Sequence, residues 1–199
     1  MHDDTEKVNE ASSAVETQGR SLVRELAEFT AIAFLIILPF RMFVAQPFVV
    51  NGASMDPTFH DGEYLVVDQI SKRFEDPARG SVIILRYPLD TSKYFIKRVI
   101  GLPGETLQVE NGAVTIVNKD HPEGFLLDEP YVAFPREDTF ERTLGSTEYF
   151  VMGDNRFGSS DSRSWGPLPA EDIVGRPILR LLPPGRLDYL PGAAQYDTK

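Results

Sequence analysis

An uncharged run near the N-terminus constrains this chain more than any other feature. From Phe29 to Phe40 no side chain is charged, and from Phe29 to Val50 the only charge is Arg41. A helix needs about 20 apolar residues to cross a bilayer core, so the run is long enough if Arg41 lies near one end and snorkels. A buried core helix ending at Pro39 is an alternative for the same residues. A cleaved secretory signal fits less well. Its leading segment is normally basic, whereas Asp3, Asp4, Glu6 and Glu10 precede this run, and no small-x-small site follows closely. The expectation is an uncleaved transmembrane anchor over residues 27–46. Arg20 and Arg24 before it favour a cytoplasmic N-terminus, with Arg41 pulling the other way. Met1 to about Ser21 is polar and cannot bury enough surface to offset its ordering entropy, so residues 1–26 read as a disordered cytoplasmic tail.

Beyond the run the pattern changes to short β-branched stretches between turn residues. Tyr64–Asp68, Ser81–Tyr87, Tyr94–Ile100 and Glu148–Gly153 read as strands, and 15 Pro with 15 Gly suit a turn-rich β domain. Asn111-Gly112 sits between two alternating runs and predicts a two-residue type I′ hairpin. Segment 118–147, with Pro122, Pro130 and Pro135, reads as an irregular insertion. The fold class is mainly β, a domain over residues 47–199 behind one membrane helix. A net charge of −10 argues against a nucleic-acid partner. With no Cys, a disulfide framework, a zinc-thiolate site and a cysteine nucleophile are excluded. His2, His60 and His121 are too scattered to read as a metal cluster.

Three blocks hold residues able to do chemistry. In "NGASMDPT", Ser54 follows a strand-like run, and Gly52 and Ala53 leave the backbone there uncrowded for an extended ligand. A serine nucleophile needs a base. His60, in an apparent turn, and His121, in a polar loop, are two candidates. Lys97 in "YFIKRVIG" is a third, because alternate strand residues put it beside Phe95 and Val99, and an apolar row lowers a lysine's pKa. The same lysine can instead point to solvent beside Arg98. In "VMGDNRFGSSDSRSWGPL", Asp161 and Arg163 can pair to fix a loop, with Ser159, Ser160 and Ser162 available to bond a buried amine.

In this order the blocks resemble those of the type I signal peptidases. "QPFVVNGASMDPT" is similar to that family's serine box, "RGSVIILRYP" to its next strand box, "FIKRVIGLPGE" to its lysine box, and "VMGDNRFGSSDSRSWG" to its glycine-aspartate-asparagine box. The resemblance implies an antiparallel β fold and a Ser-Lys endopeptidase without metal or cofactor. Such an enzyme cuts signal peptides from exported preproteins at the outer face of the plasma membrane. It further implies Ser54 as nucleophile, Lys97 as general base, Ser159 orienting the lysine amine, and Asp161 with Arg163 supporting that loop. Asp154 and Asn155 fall in the same box as structural residues. Three features depart from the family pattern. Ser81 stands at a strand-box position that is often acidic. "RFGSS" replaces a more polar run, and Gly52 stands where some members carry a serine that helps bind the oxyanion.

An extended substrate beside the strands bearing Ser54 and Lys97 would turn its first and third residues before the cut toward the enzyme. Phe48, Val50 and Ile96 are expected to wall those pockets and admit only small side chains. Phe48, Val50, Met55 and Phe59 are expected to form an apolar surface near Ser54 with affinity for membrane lipid. Two rival readings are a catalytically silent, membrane-anchored module binding extended peptides during surface assembly, and a peptidase specialised for a few surface or pilus subunits.

Overall fold

The structure is a computed structural model that describes residues 24–35, 45–194 and 196. Residues 1–23 of the expected tail and 36–44 of the expected anchor lie outside the described residues. The chain divides into two compact units, residues 1–43 and 44–199.

In the first unit, helix α1 covers residues 24–35. Residues 24–26, expected to belong to an irregular tail, are therefore helical. They start a run of good helix formers, and Arg24 Nε donates to Glu28 Oε1 at 2.8 Å one turn on. Among the described residues no helix is long and apolar enough to cross a membrane.

The second unit is built of antiparallel strands. They run in chain order β1 (Ala45–Val49), β2 (Tyr64–Asp68), β3 (Val82–Tyr87), β4 (Asp90–Gly101), β5 (Thr106–Glu110), β6 (Ala113–Val117), β7 (Phe125–Leu126) and β8 (Phe140–Thr143). β9 (Glu148–Met152), β10 (Leu168–Pro169), β11 (Ile173–Leu182) and β12 (Asp188–Tyr189) complete them. The larger sheet has the order β1-β2-β11-β3-β4-β9-β10, with β12 paired to β11, and the smaller has the order β7-β6-β5-β8. β1 begins inside the expected anchor, because Ala45 and Gln46 pair with Asp68 and Val67 of β2. Their backbone groups thus bond across a sheet instead of along a helix.

The predicted hairpin joins β5 to β6, with Asn111 at φ 50° and Gly112 at φ 83°, the left-handed pair a type I′ turn requires. Segment 118–147 is more regular than expected, since β7 pairs with β6 and β8 pairs with β5. One core cluster holds Val50, Met55, Phe59, Leu65, Val67, Val82, Ile84, Ile96 and Val174. Met55 and Phe59 are fully buried and Val50 is 4% exposed. These three residues therefore form core beneath the loop after β1, and the lipid-facing role expected of them is wrong; Phe48 alone of the four is half-buried.

Candidate active site

Ser54 lies in the loop between β1 and β2. That loop closes on itself through Asp56 N–H to Ala53 O (3.2 Å) and Phe59 N–H to Met55 O (2.9 Å), while the Met55 and Phe59 side chains fasten it to the core. The segment after β9 grips it from outside. Asn155 N–H donates to Ser54 O at 3.1 Å, and Asn155 Nδ2 donates to Ala53 O at 3.1 Å. Gly153 allows this approach, because a Cβ there would fall 2.3 Å from both Ser54 O and Ser159 Oγ.

Lys97 comes from β4, paired with Ile83 of β3, and is 3% exposed. The solvent-facing alternative is therefore excluded. Its Nζ donates to Ser54 Oγ at 2.8 Å and to Ile96 O at 2.9 Å, and lies 5.2 Å from the centre of the Phe95 ring. Burial lowers its pKa from the ordinary 10.5 to about 8. The carboxylates of Asp161 and Asp154 pull the value back up, and the Arg163 guanidinium adds to the lowering.

The supporting loop is a buried ion-pair cage. Asp161 caps the short helix α2 (Ser162–Trp165) by accepting from Arg163 N–H at 3.2 Å, and it also accepts from Gly153 N–H at 3.0 Å. Arg163 donates to both Asp161 oxygens at 2.8 and 2.7 Å, to Asp138 Oδ2 at 2.7 Å and to Arg156 O at 2.7 Å. Burial would raise the Asp161 pKa, but the bonds from Arg163 and Gly153 outweigh it and hold the carboxyl below its ordinary 3.8. Beside this cage Arg98, 1% exposed, donates to both oxygens of Asp154 at 2.8 and 2.6 Å, and Thr58 Oγ1 donates to Asp154 at 2.5 Å.

Ser159 departs from expectation. Its Oγ is buried against Gly153 without a hydrogen-bond partner among the described residues. It lies near enough to Asp161 to help lower that carboxyl's pKa, but not in bonding geometry. The expected bond to the lysine amine is not made; Lys97 Nζ bonds Ser54 Oγ and Ile96 O instead. Neither described histidine reaches Ser54. His60 Nδ1 pairs with Asp56 Oδ1 at 2.5 Å, and His121 packs on Phe125 at 4.9 Å between ring centres; His2 lies outside the described residues. Gly52 N–H is taken by Asp61 Oδ1 at 2.7 Å, whereas no acceptor among the described residues engages Ser54 N–H.

Ser54 and Lys97 open onto a cleft of about 280 Å³. Phe48, Val50 and Ile96 line it, joined by Leu65, Ile84 and Tyr94. The Phe48 and Tyr94 rings meet edge to face at 5.5 Å. Leu65 and Ile84 escaped notice because strand alternation gives two faces without saying which one meets a distant segment.

Residues 23–182 match the family described as signal peptidase, peptidase S26. The chain belongs to the signal peptidase S26 family. It is 35% identical over 175 residues to a probable signal peptidase I-1 of Synechocystis sp., covering 84% of this chain and 87% of that protein. It is 34% identical over 187 residues to the signal peptidase I of Leptolyngbya laminosa, covering 89% of each. Signal peptidase I T of Bacillus subtilis is 34% identical over 184 residues, covering 86% of this chain and 91% of that one. A crystal structure of a signal peptidase I from Enterococcus faecalis superposes with a TM-score of 0.45 at 28% identity, over 51% of this chain and 97% of that one. As a signal peptidase this chain is a hydrolase, a serine endopeptidase of signal-peptide processing.

Proposed function

We propose that this signal peptidase cleaves signal peptides from exported preproteins with Ser54 as nucleophile and Lys97 as general base. The observation that carries the reading is the 2.8 Å contact between Lys97 Nζ and Ser54 Oγ inside a desolvated pocket. With the amine at a pKa of about 8, roughly one molecule in ten holds it neutral at pH 7. The neutral amine takes the Ser54 proton as Oγ attacks the scissile carbonyl. The oxyanion forms against Ser54 N–H. The Lys97 ammonium then gives its proton to the departing amine, leaving an acyl-serine, and the freed lysine activates water to hydrolyse it. Gly52 N–H is engaged by Asp61 and so does not serve as a second oxyanion donor in this arrangement; losing one such donor typically costs about 10²–10³ in rate. Ser159 turns toward the amine once Lys97 releases Ser54, which would satisfy its unpaired hydroxyl.

The substrate lies extended between β1 and β4. Phe48, Val50 and Ile96 receive its first and third residues before the cut and restrict both to small side chains. The uncharged run, with Arg20 and Arg24 before it, supports a single-pass anchor over residues 27–44. The N-terminus is then cytoplasmic, and the β domain acts on the outer face of the plasma membrane. The test is incubation of the full chain in detergent with a synthetic preprotein, comparing wild type, Ser54→Ala and Lys97→Ala. The wild type should release the mature protein cut after a small-x-small sequence, and both variants should be inert. Cleavage by Lys97→Ala would overturn the assignment of the base.

A further inference from the structure

After β12 the chain runs on as a strap that is tied to β11 at its start and to the site's supports further on. Leu190 N–H donates to Ile178 O at 2.9 Å, and Ala194 N–H donates to Gly80 O at 3.4 Å. Gly192 O accepts from Arg98 Nη1 at 2.6 Å, in addition to the bond that the same nitrogen makes to Gly80 O at 2.7 Å. On its other side Gly192 is packed against the loop that carries Ser54. A Cβ there would fall 2.7 Å from Thr58 Cγ2 and 2.8 Å from Phe59 Cε2. The Tyr196 ring covers Gly80, and its hydroxyl bonds that of Tyr131, whose own ring lies 3.9 Å under the Arg98 guanidinium. Tyr131 OH donates to Glu129, Glu129 holds Arg156 through two bonds, and Arg156 Nε donates to Gly153 O at 3.2 Å.

The strap buries Pro191, and Tyr196 packs against the core cluster of Ile100, Leu107 and Phe150. Gly192, Ala194 and Tyr196 are half-buried and Ala193 is exposed. Its distinctive contribution is one carbonyl on a buried cation and one aromatic lid over the turn beside it. A guanidinium stays buried only while its donors are satisfied. Arg98 adjoins Lys97 in sequence, and its partner Asp154 also holds Thr58, four residues after Ser54.

We infer that residues 190–194 and 196 are a positioning strap for the Ser54–Lys97 pair. Gly192 O and Tyr196 keep Arg98 dry, so that Arg98–Asp154 holds the serine loop against the lysine strand. This rests on the peptidase reading above. No strap residue lines the cleft, so loss of the strap should lower kcat and spare KM. A misplacement of about 1 Å at a reacting group costs about 10²-fold.

The test uses the full chain in detergent with a preprotein substrate, comparing wild type, a truncation lacking residues 190–199, and Gly192→Ala. Gly192→Ala displaces the strap from Thr58 and Phe59 and strains a residue at φ +73°. Thermal melts establish that each variant is folded at the assay temperature, and Gly192→Ala carries the test if the truncation does not fold. The expected result is a 10- to 100-fold lower kcat with KM changed by less than about twofold. The rising limb of the pH–rate profile should also move to higher pH, because water reaching Arg98–Asp154 relieves the burial of Lys97. Folded variants with wild-type kcat and an unmoved limb would overturn the strap and leave the peptidase reading intact. A wild type without cleavage would overturn both.

Discussion

Replacing Lys97 by methionine should remove activity and yet stabilise the fold. A lysine pKa lowered from 10.5 to about 8 corresponds to about 3 kcal/mol spent in keeping the ammonium buried. Methionine has similar length and suits contact with the Phe95 ring, 5.2 Å from the present amine. It forfeits the bonds from Nζ to Ser54 Oγ and Ile96 O, a loss of about 1 kcal/mol each and so about 2 kcal/mol together. The net expectation at pH 7 is a gain of about 1 kcal/mol, or about 2–4 °C in Tm for a chain of this size. The sign of the pH dependence follows from proton counting. Below pH 8 both states of the wild type hold the proton and the penalty is complete. Between about 8 and 10.5 the unfolded chain binds more protons than the folded one, so stability rises with pH until the penalty is gone. The Lys97→Met variant should lack that rise. Thermal melts of both proteins from pH 7 to 11 read the difference. A variant less stable than wild type at pH 7, or one that retains the rise, would refute the claim that Lys97 is held against its own desolvation.

Gly153→Ala should lower cleavage severely with the sheet intact, because the new methyl meets Ser54 O at 2.3 Å and pushes the nucleophile's loop away; a preprotein assay with a circular dichroism control checks it. Asp161→Asn breaks a buried pair with Arg163 and should cost about 3–5 kcal/mol by denaturant unfolding. In the wild type the stabilisation from Asp161 holds above its unfolded pKa near 3.8 and is lost as pH falls through the depressed folded value, an acid loss that the variant should not show. Ile96→Ala enlarges the cleft and should admit larger residues at one or both pocket positions, measured by mass spectrometry of products from a peptide library varied around the cut.

Local chemistry was readable where neighbours in sequence decide it. Asn111-Gly112 dictates its turn, and the alternation around Lys97 places Phe95 beside the amine. What escaped depends on partners distant in the chain. β11, with Gly175 and Pro177 inside it, carries weak strand signals and is held by pairing with β2 and β3 and by burial of Ile173 and Val174. β8 is the polar Phe140-Glu-Arg-Thr143, which pairs with β5 without a buried face of its own. Met55 and Phe59 looked like exposed apolar residues of a turn until the loop folded back over β2. Arg98 reads as one more strand cation, and only Asp154, 56 residues on, makes it a buried anchor. The composition of the four motif blocks was visible; the contacts through which they hold one another were not.

The central claim is that a neutral, buried Lys97 is the base for Ser54. The most direct measurement is the pH dependence of kcat/KM for signal-peptide cleavage by the full chain in detergent. The rate should climb with pH and level off, with a midpoint near 8, the value to which burial brings the amine. A midpoint near 6.5, the ordinary value of a histidine, would contradict it.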